Sequence, residues 1–117
     1  MERSDLLGAW GEALAADYLR KKHYTVEAVG YHCRFGEIDL IAANRKFLVF
    51  VEVKARADLS FQRPAESVTA DKQRKIALTA LYFLSANGLD DVPCRFDVIE
   101  VVGKDVNHII NAFEYKN

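Results

Sequence analysis

Residues 36–56, GEIDLIAANRKFLVFVEVKAR, decide the fold. Two apolar runs rich in β-branched residues flank a short polar segment around Asn44, a pattern typical of a β-hairpin. Asp39 interrupts the first run, and Glu52 and Lys54 interrupt the second. A charge in a buried strand is costly unless it is paired or bound to a metal. The hairpin therefore predicts a functional site as well as a fold.

The register of this hairpin decides whether its acidic residues meet. Side chains alternate along a strand, so Glu52 and Lys54 share one face. A loop of two or four residues between the strands places Asp39 on that same face, whereas a three-residue loop would separate it from Glu52. With an even loop, the two carboxylates repel each other unless a proton, a lysine or a divalent cation compensates.

Two helices are predicted, one on each side of the hairpin in the sequence. The first spans about residues 4–22, with Ser4 as its N-cap and basic residues at its C-terminal end. The second opens near Thr69 and ends before Gly88, a residue type that commonly follows a helix. Apolar residues recur at helical spacing, Leu7, Trp10, Leu14 and Tyr18 in the first and Ile76, Ala80, Phe83 and Leu84 in the second.

Small residues surround one carboxylate of the first helix. Gly8 and Gly11, each costing about 1 kcal/mol relative to alanine in a helix, lie beside Glu12 together with Ala15 and Ala16. Such a surface allows another backbone or a ligand to come close. The alternative is simple packing of the helix on the sheet, with Glu12 in solvent.

The rest of the chain completes a single domain. Residues 24–34 and 94–102 are β-prone, the polar stretch 57–68 indicates a loop, and residues 106–115 fit either a strand or a short helix. With 117 residues in all, we expect one α/β domain over 1–117, with a mixed central sheet flanked by helices.

Composition limits where the protein acts and what it contacts. No run approaches the roughly 18 apolar residues of a membrane span, and the N-terminus lacks a signal-peptide layout. We therefore expect a cytoplasmic protein, with Cys33 and Cys94 as reduced thiols because they lack paired spacing. The net charge of −1 gives no overall field that attracts a polyanion.

Any contact with nucleic acid must therefore use local basic patches. Each patch taken alone is more often a solvated helix end or turn. The candidates are Arg20 to His23, Arg45 with Lys46, Arg56 with Arg63, and Lys72 to Lys75.

Three interpretations fit the charged residues of the hairpin. In the first, Lys54 neutralises the two acids across an exposed sheet face. In the second, the carboxylates hold Mg²⁺ or Mn²⁺, and the ion activates water for attack on a phosphodiester. In the third, a nucleic-acid-binding module keeps the same residues but does not cleave. The nearly continuous apolar character of the strands favours a sheet covered on both faces, against the first interpretation.

The order of these motifs resembles a known group of enzymes. A helix bearing Glu12, then GEIDLI, then FVEVK is similar to the PD-(D/E)XK nuclease superfamily, in which an Asp ends one strand and Glu-x-Lys lies on its hairpin partner. The wider pattern resembles the YraN family of small uncharacterised bacterial proteins, which is related in fold to archaeal Holliday-junction resolvases. The matching segments are GAWGEALAADYL, GEIDLIA, LVFVEVKAR, DKQRKI and RFDVIEV, and they span nearly the whole chain.

The resemblance implies a restriction-endonuclease-like fold and a role for each matching residue. Asp39 and Glu52 would be metal ligands, Lys54 the catalytic lysine, Glu12 the helix-borne carboxylate that faces the metal, and Gln73 an auxiliary site residue. The implied activity is that of a divalent-metal-dependent nuclease on branched or single-stranded DNA. A non-catalytic nucleic-acid-binding or DNA-repair adaptor and a protein-interaction domain are the alternatives.

The chain departs from the family pattern before GEIDLI. The family usually has an Asn-x-Arg type segment there, and this chain has Gly30, Tyr31 and His32. Arg34 and Arg56 are the candidates to replace the phosphate or scaffold contact of that arginine.

Overall fold

The strands form one five-stranded sheet in the order β1-β2-β3-β4-β5, in which β3 and β4 are parallel and all other neighbours antiparallel. The computed structural model describes residues 3–56 and 68–114, with side chains from residue 7 onward. Its elements are α1 (Arg3–Lys21), β1 (Thr25–Cys33), β2 (Gly36–Ala43), β3 (Leu48–Arg56), α2 (Ala70–Ala86), β4 (Cys94–Val102) and β5 (Asp105–Phe113). The predicted α/β fold with a mixed sheet and flanking helices is confirmed, and it is compatible with a restriction-endonuclease-like fold.

A four-residue loop joins β2 and β3, because Ala43 pairs with Leu48. The Asn44 side chain accepts hydrogen bonds from the backbone N–H groups of Lys46 and Phe47, at 2.9 and 2.8 Å, which fixes the turn. The register predicted for an even loop is thereby confirmed.

The two helices cover opposite faces of the sheet. Helix α1 packs on alternate residues of β3, including Val49 and Val51, and helix α2 packs on the other set, including Leu48 and Phe50. Coverage on both faces explains the nearly continuous apolar sequence of β3. By alternation, Glu52 continues the face that α2 covers.

The face of α1 that contacts the sheet matches the predicted stripe only in part, since Leu14 and Tyr18 pack against the buried cluster. Trp10 is 41% exposed, whereas Ala15, Ala16 and Leu19 are buried. Small residues occupy the face of α1 against the sheet because they let the helix approach the sheet closely. A Cβ added at Gly11 would lie 2.6 Å from the Cβ of Ala55, so the close approach predicted around Glu12 is real there, while a Cβ at Gly8 would meet nothing within 4 Å.

Other boundaries follow the predictions with two corrections. Helix α1 already includes Arg3, so Ser4 lies inside it and is not its N-cap. The final apolar segment, left open between strand and helix, forms β5. Helix α2 opens next to Thr69 as predicted, and the Thr69 side chain caps it by accepting a hydrogen bond from the Lys72 N–H. Cys33 and Cys94 are free thiols. The predicted loop at 57–68 falls almost wholly outside the described residues.

Within residues 3–56 and 68–114, neither helix is long and apolar enough to span a membrane. The predicted cytoplasmic location stays a prediction.

Candidate metal centre

Asp39 lies where β2 and β3 stop pairing. The ladder of paired residues ends at Leu40 and Val51. One position further on, Asp39 Oδ2 accepts a hydrogen bond of 2.8 Å from the backbone N–H of Val53. A side chain therefore replaces the main-chain partner of Val53, and the Asp39 carboxyl is held against β3 beside Glu52.

The half-buried carboxyl group of Asp39 lies within hydrogen-bonding reach of the buried carboxyl group of Glu52. Burial, the contact with Glu52 and the charge of Glu52 together raise the pKa of Asp39 to about 8. Burial alone would also raise the pKa of Glu52, but contacts with Asp39 and Lys72 outweigh it and lower that pKa. The pair therefore keeps one proton near neutral pH, carried by Asp39, while Glu52 is ionised.

Two lysines compensate the charge of Glu52, which is only 7% exposed. Lys72 Nζ lies 2.6 Å from Glu52 Oε2, and Lys54 Nζ lies 3.9 Å from the same oxygen. Among the described residues, Oε2 is held by these two ion pairs and not by a hydrogen bond of regular geometry. A buried carboxylate oxygen that already attracts two ammonium groups lies where positive charge is favoured, which makes it a suitable ligand for a cation.

The donor set fits a hard divalent cation. In the described part of the chain, no group of three or more His, Cys, Asp or Glu side chains is placed to hold a metal ion. Mg²⁺, however, is often held by one or two carboxylates, with water and substrate phosphates as its other ligands. Asp39 and Glu52 supply that minimum, and both are oxygen donors.

Glu12 lies near this pair without joining it. Partial burial and the charges of Glu37 and Glu52 raise its pKa, so its carboxylate is within electrostatic range of the site. Helix α1 brings it there through the close contact of Gly11 with Ala55. Its role as the carboxylate that faces the metal stays a prediction.

On helix α2, the side chain that reaches the acids is that of Lys72. Gln73 Nε2 instead donates a hydrogen bond of 3.0 Å to the carbonyl of Val68, which anchors the segment before the helix. The predicted auxiliary role of Gln73 stays a prediction. Lys72 was predicted only as part of a basic patch, although its spacing from Ile76 and Ala80 already places it on the stripe that faces the sheet.

Several cations predicted as phosphate contacts have acidic partners within the chain. Arg74 and Lys75 pair with Asp71 at 2.7 and 3.2 Å, and Arg56 Nε lies 3.5 Å from Glu100. Arg63 lies outside the described residues. Contact with nucleic acid stays a prediction.

In the segment before GEIDLI, His32 contacts both Gly30 and a neighbouring acid. His32 Nε2 lies 2.8 Å from Glu37, and His32 Nδ1 lies 2.6 Å from the Gly30 carbonyl. The Arg34 guanidinium lies over the Phe35 ring, 4.9 Å from its centre.

A second buried carboxylate, which the sequence analysis missed, lies on β4. Asp97 is fully buried and accepts hydrogen bonds from Arg95 Nε at 2.9 Å, Arg95 Nη2 at 2.8 Å, the Asn111 N–H at 2.9 Å and His108 Nε2 at 2.6 Å. The His108 Nδ1 is thereby left to accept from the Tyr18 hydroxyl at 3.2 Å. Burial would raise the pKa of Asp97, but hydrogen bonds from His108 and Arg95 lower it.

Comparison with known proteins places this arrangement in one family. The model of the uncharacterised protein family UPF0102 matches residues 11–101. A UPF0102 protein of Lachnoclostridium phytofermentans is 44% identical over 108 residues, which cover 92% of each chain. A UPF0102 protein of Saccharophagus degradans is 42% identical over 114 residues, covering 97% of each chain. One of Geotalea uraniireducens is 42% identical over 113 residues, covering 92% of this chain and 89% of the relative.

Proposed function

The chain belongs to the uncharacterised protein family UPF0102, and we propose that it is a divalent-metal-dependent nuclease that acts on branched or single-stranded DNA. The observation that carries the proposal is the contact between two carboxyl groups, Asp39 and Glu52, at the point where β2 and β3 separate. One of them has a buried oxygen without a hydrogen-bond partner in the described residues. An arrangement of this kind is costly for stability and suited to binding a cation.

Each residue of the site has a task in this proposal. Asp39 and Glu52 hold Mg²⁺ or Mn²⁺, which when bound lowers the pKa of water and polarises a phosphoryl oxygen. Lys54, on the same face of β3 as Glu52, stabilises negative charge that develops on the phosphate. Glu12 contributes a neighbouring carboxylate, and Gln73 anchors the start of α2.

A cavity lies on the side of the sheet that carries Glu52, although Asp39 and Glu52 do not line it. This cavity of about 340 Å³ opens next to Lys72 and is lined by Gly36, Glu37, Asp71, Lys72, Lys75 and Ile76. It lies between the start of β2 and the first turns of α2, so a substrate there would lie on the same side of the sheet as Glu52. Lysine side chains at its edge can contact phosphates, which carry most of the affinity for nucleic acids.

The test is cleavage of DNA by purified protein in the presence of Mn²⁺ or Mg²⁺. We expect the wild-type protein to cut branched or single-stranded DNA, and Lys54→Ala to lose cleavage while keeping most of its DNA binding. Lys104→Ala is the matched control, because Lys104 is an exposed lysine in the turn between β4 and β5 and belongs to none of the candidate basic patches. Cleavage that survives unchanged in Lys54→Ala would indicate a contaminating nuclease and contradict the proposal.

A non-catalytic role in binding nucleic acid is the second candidate. It is favoured over cleavage by a donor set of only two carboxylates in the described residues. An adaptor would show no cleavage but would bind DNA with an affinity that falls steeply as salt rises. The absence of both cleavage and DNA binding would favour a protein-interaction domain on the same scaffold.

A further inference from the structure

We propose that Lys72 is an internal counter-ion that a divalent cation must displace from Glu52, and that this competition sets the metal affinity of the site. The inference rests on the proposed function, because it takes Asp39 and Glu52 as the metal ligands. It adds a residue of α2 to a site otherwise built from the hairpin.

The geometry distinguishes Lys72 from Lys54. Lys72 Nζ is 2.6 Å from Glu52 Oε2, and Lys54 Nζ is 3.9 Å away. The Lys72 side chain is nevertheless 44% exposed, while the Glu52 side chain is 6% exposed. Lys72 therefore reaches into the site from solvent, and it is the cation in closest contact with the buried oxygen.

Lys72 can leave without a change in the fold. Its backbone N–H is fixed in the first turn of α2 by the Thr69 side chain, at 3.1 Å. Its four-carbon stem is flexible and its ammonium is strongly hydrated in water. The ammonium can therefore withdraw into the cavity next to it while the helix stays in place.

An ammonium and a divalent cation cannot share Oε2 at such short distances. Like charges a few ångströms apart repel strongly in a partly buried site. Metal binding must then break the contact between Lys72 and Glu52. The free energy of that contact reduces the free energy of metal binding by the same amount. Without metal, the same contact compensates the ionised Glu52 and protects the fold from an unpaired buried charge.

The experiment is calorimetric titration of Mn²⁺ into wild type, Lys72→Met and Lys75→Met. Methionine keeps a stem of similar size and removes the charge. We expect Lys72→Met to bind Mn²⁺ about tenfold more tightly than wild type, equivalent to about 1.4 kcal/mol. Lys75→Met is the matched control, since Lys75 is on the same helix but pairs with Asp71 at 3.2 Å, and we expect it to bind like wild type.

The outcomes separate this inference from the proposed function. Equal Mn²⁺ affinity in all three proteins, or weaker binding by Lys72→Met, would overturn the counter-ion role and leave the metal site standing. Binding of Mn²⁺ by none of them would overturn the metal site and the inference with it.

Two further measurements keep the inference testable if Lys72→Met folds poorly. Lys72→Arg keeps the charge, and we expect its Mn²⁺ affinity to stay low, so tight binding by this variant would contradict a charge-based competition. In thermal melts with a chelator, Lys72→Met should melt below Lys75→Met because Glu52 has lost its partner. Equal melting temperatures would show that Lys72 does not compensate Glu52.

Discussion

Among the residues that the structure describes, acidic side chains are buried in two places, which differ in how fully the carboxyl groups are hydrogen-bonded. Asp97 accepts four hydrogen bonds, two of them from Arg95 and one each from His108 and the Asn111 backbone. Where β2 and β3 separate, the Asp39–Glu52 pair accepts one backbone hydrogen bond among the described residues, from the Val53 N–H to Asp39. Glu52 Oε2 has a close ammonium but no hydrogen bond there.

This difference in hydrogen bonding distinguishes Asp97, which stabilises the fold, from Asp39 and Glu52, which are available to a ligand. The pKa of Asp97 is lowered because its hydrogen bonds with His108 and Arg95 outweigh burial, whereas that of Asp39 is raised to about 8 by burial and by Glu52. A satisfied buried carboxylate stabilises the structure around it, and an unsatisfied pair is more stable once a cation binds. We infer that Asp97 is structural and that the Asp39–Glu52 pair is the functional site.

The largest expected effect is a difference in the free energy of unfolding between two variants, with Asp replaced by Asn either at Asp97 or at Asp39. Asp97→Asn should lower the free energy of unfolding by about 3–5 kcal/mol, because the nearly buried Arg95 loses its partner charge. Asp39→Asn should not lower it, since the amide oxygen still accepts from Val53 and a neutral side chain replaces a carboxyl that must take up a proton on folding at pH 7. Urea denaturation of both variants at pH 7 checks this. A larger loss for Asp39→Asn would reverse our assignment of the two places.

Metal binding should stabilise the protein through the Asp39–Glu52 pair and not through Asp97. A ligand at a hundredfold excess over its Kd stabilises the fold by about 2.7 kcal/mol, a rise in melting temperature on the order of ten degrees for a domain of this size. We expect Mn²⁺ to produce this rise in wild type and not in the double variant Asp39→Asn, Glu52→Gln. Without metal, the double variant should melt no lower than wild type.

Asp71→Asn is the control for that melt, because Asp71 is an exposed acid on α2 that pairs with Arg74 and Lys75, and it should keep the rise. A salt-bridged sheet face predicts the opposite pattern. In that case the double variant would be destabilised and Mn²⁺ would change neither protein.

The hairpin could be read from the sequence because its determinants are local. The Asn44 turn, the alternation of β3 and the positions of Asp39 and Glu52 all lie within one short segment. The contact of Lys72 with Glu52 could not be derived in this way, because it depends on where α2 docks on the sheet.

The Asp97 cluster was missed for a related reason. Its outer hydrogen bonds join residues far apart in the chain, Tyr24 with Arg95 across 71 positions and Tyr18 with His108 across 90. The spacing of apolar residues within one helix or strand cannot predict such long-range pairs. The exposed Trp10 shows the same limit, since close packing by Gly11 and Ala15 decided the buried face of α1.

The smallest expected effect is a difference in pH dependence, measured by urea denaturation between pH 5 and 8 with a chelator present. The pKa of Asp39 in the folded protein is about 8 against an ordinary value of 3.8, so over this range the folded state retains a proton that the unfolded state has lost. Wild-type stability should therefore fall as pH rises, by up to about 1.4 kcal/mol for each pH unit below pH 8, and Asp39→Asn should remove most of that slope. The lowered pKa values of Asp97 and Glu52 act with the opposite sign, but the stability they contribute is lost only as pH falls below the ordinary range of carboxyl groups, outside this window. Parallel pH profiles for wild type and Asp39→Asn would show that the pair does not hold a shared proton.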